Sequence, residues 1–439
     1  MNASDSIPAT EEVGWAEAGF LALSAALGLL LRAPDAVLFP QFVAEDGTAF
    51  FADQLDRSFP QLFEVVQGYW VFLDRLIAWV GSLFPVAAAP MVYNVLAIAL
   101  AGCSIAWFSL RAREFFHPVA SFGALLLIPI INIYVLDNVV HLQWWTQFPL
   151  IAVSLLPRLL PAGTSGMRRG IECACIVIIA FTGPFAILCL FTYAMLASAF
   201  AIARVARLGA IHQRIGEYMR SLDPIGVAVT GSAGCIVLAL AVAKHKVAAP
   251  FTHQQFSAFF DIVLGEGLQI HAMGPVLFSR ATFLGVQCAL LATAIFVPRN
   301  ARTRIACLML LAYGFACILA GYAKVTALGV APAAFNFGDT YFLALAVIEW
   351  LVLSSVLGTL VFGSRLMGAT VVLTALCALT IRHPYWHVRT DVPNLGWPDY
   401  ARQIAAGEAV DVPLLPSADW HVRIAGRPKR NGDPPGLTR

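Results

Sequence analysis

The chain has 439 residues, of which 59% are hydrophobic and 12% charged, with a formal net charge of +2. That charged share is about half that of an average soluble domain, and apolar runs near 20 residues recur, so the sequence describes a polytopic membrane protein. The basic residues are spread over many short loops and form no stripe, which excludes a nucleic-acid partner.

In chain order, apolar segments predict spans near residues 15–31, 86–110, 118–136, 142–158, 171–182, 184–203, 223–243, 281–298, 305–322, 340–362 and 366–381, eleven crossings in all. The acidic start "MNASDSIPATEEVGWAEAG" lacks a basic n-region, so the first span is expected to be retained and not cleaved. The nine cysteines all lie in apolar segments and are expected to be packing residues, because an odd number of buried thiols makes a poor disulfide framework.

With a cytoplasmic N-terminus, every inner loop carries arginine: Arg111 and Arg113, then Arg158, Arg168 and Arg169, then Arg204, Arg207, Arg214 and Arg220, then Arg299, Arg302 and Arg304, then Arg365. That arrangement obeys the positive-inside rule. It places the loops 32–85 and 244–280, and the tail from 383, on the outer side. The stretch 171–203 is short for going out and returning, and "TGP" at 182–184 is expected to break it beneath an outward cavity. A single helix kinked at Pro184 is the alternative, and it would invert everything downstream.

Two outer segments read as amphipathic helices lying on the membrane. In "HQQFSAFFDIVL", Phe256, Phe259, Phe260, Val263 and Leu264 share one face. Residues 59–80 follow a similar pattern, with Leu62, Phe63, Val66, Trp70, Leu73 and Ile77 on the apolar side. The domain division is thus a membrane domain, 1–382, and a small extracytoplasmic tail, 383–439, too short for a robust core of its own.

The stretch "FPQFVAEDGTAFFADQ" sets two adjacent carboxylates, Glu45 and Asp46, just after the first span. "RAPDAVLFPQFVAEDGTAFFADQ" followed by "GYWVFLDRLIAWVGSLFP", with "HLQWW", "TGPFAILCLF", "GDTYF" and "VPLLPSADW", resembles the membrane glycosyltransferases of the GT-C superfold. The likeness is to bacterial members that modify cell-surface polysaccharide with a polyprenyl-phosphate sugar. The resemblance implies an all-α fold and inverting sugar transfer at the outer face of the inner membrane. Its partners would be a polyprenyl-phosphate sugar donor, a glycan or lipid acceptor and the lipid bilayer. It also implies Asp46 as catalytic base, with Glu45 orienting or capping. The family pattern would place an arginine before the tyrosine of "GDTYF". Here the residue is Thr340, so another cation must bind the donor phosphate.

Elementary chemistry supports that reading independently. A departing lipid phosphate has a second pKa of about 6 and leaves without protonation. One base, taking the proton of an acceptor hydroxyl, then suffices, whereas a glycosidase needs a second carboxyl group as acid. Neighbouring helical residues point about 100° apart, so Glu45 and Asp46 cannot both face the acceptor. Both could instead cap the helix expected at "GTAFF". Arg75, Arg280 and Lys324 stand near outer helix ends and are the expected phosphate ligands. His141, Trp144 and Tyr341 are expected to line the substrate cavity. No cofactor is expected and no metal-ligating set is evident, with a divalent-ion requirement left open. Two rivals stand beside the enzyme: a flippase or transporter for a lipid-linked glycan, with Glu349 as its mid-span carboxylate, and a surface-polysaccharide polymerase or ligase.

Overall fold

The computed structural model describes residues 15–55, 59–66, 68–128, 137–157, 166–243, 252–260, 263, 268, 271, 280–296, 300–327, 339–382, 388–389, 392–416 and 420–426. Each apolar segment expected to cross the membrane coincides with a helix, because in lipid only a helix satisfies its own backbone polar groups. These are α1 (Trp15–Arg32), α3 (Ala89–Arg111), α4 (Pro118–Leu127), α5 (Val139–Leu155), α6 (Gly166–Ala180), α7 (Phe185–Val205), α9 (Pro224–Ala243), α11 (Arg280–Phe296), α12 (Ala301–Ala327), α13 (Asp339–Leu360) and α14 (Arg365–Arg382). Seven helices among the described residues are long and apolar enough to span a membrane by themselves. The shorter ones are α4, α5, α6 and α11, and the second half of the span expected at 118–136 lies outside the described residues. Outward-facing Phe20, Leu23 and Leu31 are 70%, 71% and 67% exposed, a surface that calls for lipid. The fold is that of an all-α polytopic membrane protein.

The helices alternate in direction. Arg169 near the start of α6 bonds Asp223 at the start of α9, and Pro157 bridges Leu222, so these segments share one end of the bundle. Arg365 donates to the Arg113 carbonyl at that same end. At the other end Arg32 donates to the Leu126 carbonyl, and the first loop meets the "TGP" bend. The bend is a true reversal. Phe181 and Gly183, on either side of Thr182, pair with Phe72 and Trp70, while farther along α7 Tyr193 reaches the Ser154 carbonyl toward the opposite end. So α6 and α7 are two antiparallel crossings, and a single kinked helix is ruled out. Gly183 has φ +91°, and a Cβ there would stand 2.5 Å from Gln143 Oε1, so glycine is required at the reversal.

The first loop departs from expectation. Residues 59–80 do not form one helix. They make a 3-10 turn (Phe59–Phe63), a two-stranded hairpin of β1 (Val65–Val66) and β2 (Tyr69–Trp70), and then α2 (Phe72–Gly81). The β-branched pair Val65–Val66 and a turn through Gly68 at φ +97° favour the hairpin, which helical periodicity alone does not reveal. At the opposite end α8 (Gly209–Ser221) is amphipathic. The outer segment at 253 begins as α10 (His253–Ala258) with a Thr252–Gln255 capping box; of its expected membrane face, Phe256 and Phe260 are exposed, but Phe259 and Val263 are buried in a cluster with Ile318, Tyr322, Phe342 and Leu345, and Leu264 lies outside the described residues.

The tail packs onto the membrane helices. Its described part holds α15 (Trp397–Ala405) and the hairpin β3 (Val410–Pro413) and β4 (His421–Ile424). Trp397, Val412, Leu414 and Ile424 belong to the same apolar core as the membrane helices. Trp397 packs edge-on against both Phe42 and Phe51.

Candidate active site

The loop that carries Glu45 and Asp46 is gripped from two sides. Ala44 donates to the Leu415 carbonyl at 2.7 Å, Leu415 donates back to Phe42 at 3.1 Å, and the Gln41 amide bridges Pro393 and Leu395. Ala44 is thereby held at φ +45°, a left-handed conformation that costs a non-glycine residue about 1–3 kcal/mol. Gly47 follows, with Leu414 so close that a Cβ would meet it at 2.5 Å. Residues Asp46–Phe51 form a π-helical turn, a geometry concentrated at functional sites.

Asp46 is fully buried. Its Oδ2 accepts from the Val139 N–H at 3.0 Å and its Oδ1 from Val140 at 2.7 Å, so it caps the start of α5 and not the helix of its own segment. Burial pushes its pKa up to about 8, against the pull of the two amides, with the charges of Asp137 and Glu45 adding to the rise. Glu45 is half-buried and turned elsewhere. Its charge acts on Tyr69, whose phenol is raised first by burial and then by Tyr341, Asp74 and Glu45. Asp46 thus anchors the loop to α5, while the Glu45 charge acts on both the Tyr69 and the Tyr341 phenols.

That wall is built by three elements. Trp144 on α5 packs edge-on against Phe185 at 4.9 Å and Tyr341 at 5.2 Å between ring centroids. Lys324 at the end of α12 stands 5.8 Å over the Tyr69 ring and is exposed. His141 is tied to Asn138, which caps α5 through the His141 N–H at 3.0 Å and contacts the His141 ring at 2.7 Å. Glu45, Asp46, His141, Trp144, Tyr341 and Lys324 thus cluster at one end of the bundle.

Arg75 belongs to a different task. Its guanidinium, 3% exposed, donates to the Ala49 carbonyl at 2.6 Å and to Asp53 at 2.9 Å, with Glu64 at 3.7 Å, which pins the loop around Phe50 and leaves little to offer a donor phosphate. The Arg280 side chain lies outside the described residues.

Sequence reasoning missed Tyr69 and two charged features. Asp74 is fully buried, and both its oxygens lack a hydrogen-bond partner among the described residues. Burial raises its pKa well above the ordinary value, and the Asp46 charge raises it further, against Arg75. Arg389 from the tail bonds Asp35 at 2.6 Å, clasps both oxygens of Asp137, and is met by its own N–H bond to the Arg32 carbonyl at 2.7 Å. Burial acts to lower the Arg389 pKa, and the two carboxylates outweigh it and hold the guanidinium charged. Among the described residues no group of three or more His, Cys, Asp or Glu side chains is placed to hold a metal ion.

No protein-family model and no curated protein sequence matches the chain. Solved structures with a similar arrangement include the oligosaccharyltransferase of Archaeoglobus fulgidus in complex with zinc and sulfate, at 16% identity and TM-score 0.40, covering 94% of this chain and 58% of that one. The archaeal oligosaccharyltransferase AglB from Archaeoglobus fulgidus, with an inhibitory peptide and a dolichol-phosphate, is similar at 15% identity and TM-score 0.43, covering 95% of this chain and 61% of the other. This chain therefore spans about three-fifths of the length of these proteins. The functional reading rests on the residues described above.

Proposed function

We propose that the chain is an inverting, GT-C-type membrane glycosyltransferase that moves a sugar from a polyprenyl-phosphate donor to a glycan or lipid acceptor. The observation that carries this reading is the convergence of a strained, doubly anchored acidic loop with an aromatic wall and an exposed lysine at one end of a membrane bundle. In the proposed reaction the acceptor hydroxyl attacks the anomeric carbon as the bond to the phosphate oxygen breaks. The acceptor proton passes to a carboxylate, and the phosphate departs as an anion. Lys324 supplies positive charge at the phosphate, and Trp144, Tyr69 and Tyr341 provide ring faces for the sugar. We assign the proton to Glu45 because it is only half-buried and its charge acts on Tyr69 and Tyr341, and give Asp46 the task of fixing the loop against α5. The sequence resemblance favours the opposite division, so both variants belong in one assay.

The arginine-rich end of the bundle supports a cytoplasmic N-terminus, with the site and tail on the outer face of the inner membrane. Single cysteines at Glu408 and Glu217, in a background lacking accessible native thiols, test this. An impermeant thiol reagent should label residue 408 and spare residue 217 in intact cells, and the reverse pattern would invert the topology.

The direct test incubates purified protein with a panel of polyprenyl-phosphate sugars and acceptor glycans, following release of polyprenyl phosphate with and without a chelator. Consumption of one donor with formation of the glycosidic bond supports the proposal. Movement of intact lipid-linked glycan across vesicles, with no release, would instead establish a transporter.

A further inference from the structure

The proposed reaction makes no use of His141, yet its ring is fixed at the start of α5. Asn138 Oδ1 accepts the His141 backbone N–H at 3.0 Å, so that atom is the amide oxygen and carries no hydrogen. The same oxygen lies 2.7 Å from His141 Nδ1, and only a protonated Nδ1 can donate to it. An imidazole of ordinary pKa, about 6.5, is mostly neutral at neutral pH, and the positive end of α5 disfavours a second proton further. The half-buried ring is therefore held as the Nδ1–H tautomer. Its Nε2 bears a lone pair turned away from Asn138, and no partner meets that nitrogen among the described residues. His141 and Trp144 stand three positions apart on α5, neighbours on one face of the helix. Trp144 packs against Tyr341, whose phenol feels the Glu45 charge, and Asp46 binds the two amides that immediately precede His141. The open nitrogen thus borders both the aromatic wall and the acidic loop.

We propose that His141 Nε2 accepts a hydrogen bond from a hydroxyl of the donor sugar and so selects which sugar is bound, with Asn138 as the positioning residue that fixes the tautomer. The inference rests on the sugar-transfer reading and deepens it. Aromatic walls with a few placed polar groups are the usual construction of a small-molecule site, the polar groups setting orientation and specificity. A neutral nitrogen acceptor beside ring faces matches a sugar, which lays its C–H bonds on the rings and extends hydroxyl donors at its edge. A donor lacking that hydroxyl, or carrying it inverted, leaves the nitrogen unpaired, which is how sites reject close analogues most strongly.

The test is native mass spectrometry of the full-length protein in detergent, offered equal amounts of undecaprenyl phosphate and of undecaprenyl phosphate carrying glucose, galactose, mannose or N-acetylglucosamine. One sugar-bearing lipid is expected to be retained over undecaprenyl phosphate. His141→Phe should lower that ratio about tenfold, while His141→Gln, whose amide oxygen can take the place of Nε2, keeps most of it. Because the ratio is read within one sample, misfolded protein does not alter it. Nitrogen-15 spectra of histidine-labelled protein should show, as the signals lost in His141→Phe, a protonated Nδ1 and an unprotonated Nε2, and Asn138→Ala should release that ring into a mixture of tautomers. An unchanged ratio in His141→Phe, or a proton on Nε2, would overturn the proposal and leave sugar transfer standing. A shift of the Nε2 signal on adding zinc alone would overturn it as well, by making the nitrogen a metal ligand. If the unaltered protein prefers none of the sugar-bearing lipids, the sugar-transfer reading itself fails, and this subsite with it.

Discussion

The first loop and the middle of α13 each bury a carboxylate, and they satisfy it by opposite means. Glu349 accepts one hydrogen bond from Gln287 at 3.1 Å, a simple crosslink between α13 and α11 with no other acid described beside it. Asp46 is held by two amides of a helix that begins 93 residues later, and it sits among Glu45, Asp74 and Asp137, whose charges disfavour one another. Crowding buried acids is expensive, and chains keep such arrangements where chemistry uses them. The difference separates a carboxylate that crosslinks two helices from one that fixes a loop among other acids.

The comparison can be broken most directly at Glu45. Glu45→Gln should reduce sugar transfer about 100-fold or more, the usual worth of a positioned base, while Glu349→Gln retains most of it. Loss at residue 349 with full activity in both Glu45→Gln and Asp46→Asn would make Glu349 the functional group and the protein a transporter. If Asp46→Asn is dead and Glu45→Gln active, the resemblance-based assignment of the base is the correct one.

Next in size is the clamp. Arg389→Gln leaves Asp137 buried without its charged partner, and removing one member of such a pair typically costs about 3–5 kcal/mol. The thermal midpoint in detergent should fall, and the double variant Arg389→Gln with Asp137→Asn should recover part of the loss.

A smaller effect concerns pH. The folded pKa of Asp46, about 8, lies above its ordinary value of 3.8. The folded state therefore binds a proton that the unfolded chain releases, so this contribution to stability is complete below about 3.8 and lost as pH rises through about 8. Thermal midpoints measured across that window should decline less steeply in Asp46→Asn than in the parent protein. An identical slope would mean that Asp46 is ionised in the fold at neutral pH.

The smallest effect is expected at Ala44. Glycine tolerates φ +45°, so Ala44→Gly should stabilise the protein by about 1 kcal/mol, or leave it unchanged, where alanine elsewhere in a loop would lose stability on the same substitution. A clear fall in the thermal midpoint would show that the loop does not hold residue 44 under strain.

Much of the architecture was written in local patterns. Apolar runs located the helices, and "TGP" located the reversal between α6 and α7. The hairpin at 65–70 escaped because its two strands are two residues each, too short for alternation to outweigh the helical period on either side. The two acids of the first loop were legible as a pair and not in their contacts. Glu45 and Asp46 announce themselves by being charged in an apolar chain, but which one turns toward α5 depends on a helix terminus far away in sequence. Arg75 looked like a phosphate ligand because its partners Asp53 and Glu64 approach only after the loop folds back. Arg389 gave no local signal, since its partners Asp35 and Asp137 stand 354 and 252 positions earlier.

That last separation has a consequence for biosynthesis. A membrane protein is inserted from its N-terminus as it is made, at about 5–20 residues per second, so the acidic loop is delivered to its side of the bilayer long before the segment that braces it exists. Asp35 and Asp137 wait without Arg389, and residues 42–44 without Leu415, until every helix has been inserted. The nascent chain thus carries the acidic loop early but acquires its fixed geometry last, and a ribosome-bound intermediate would hold that loop unbraced.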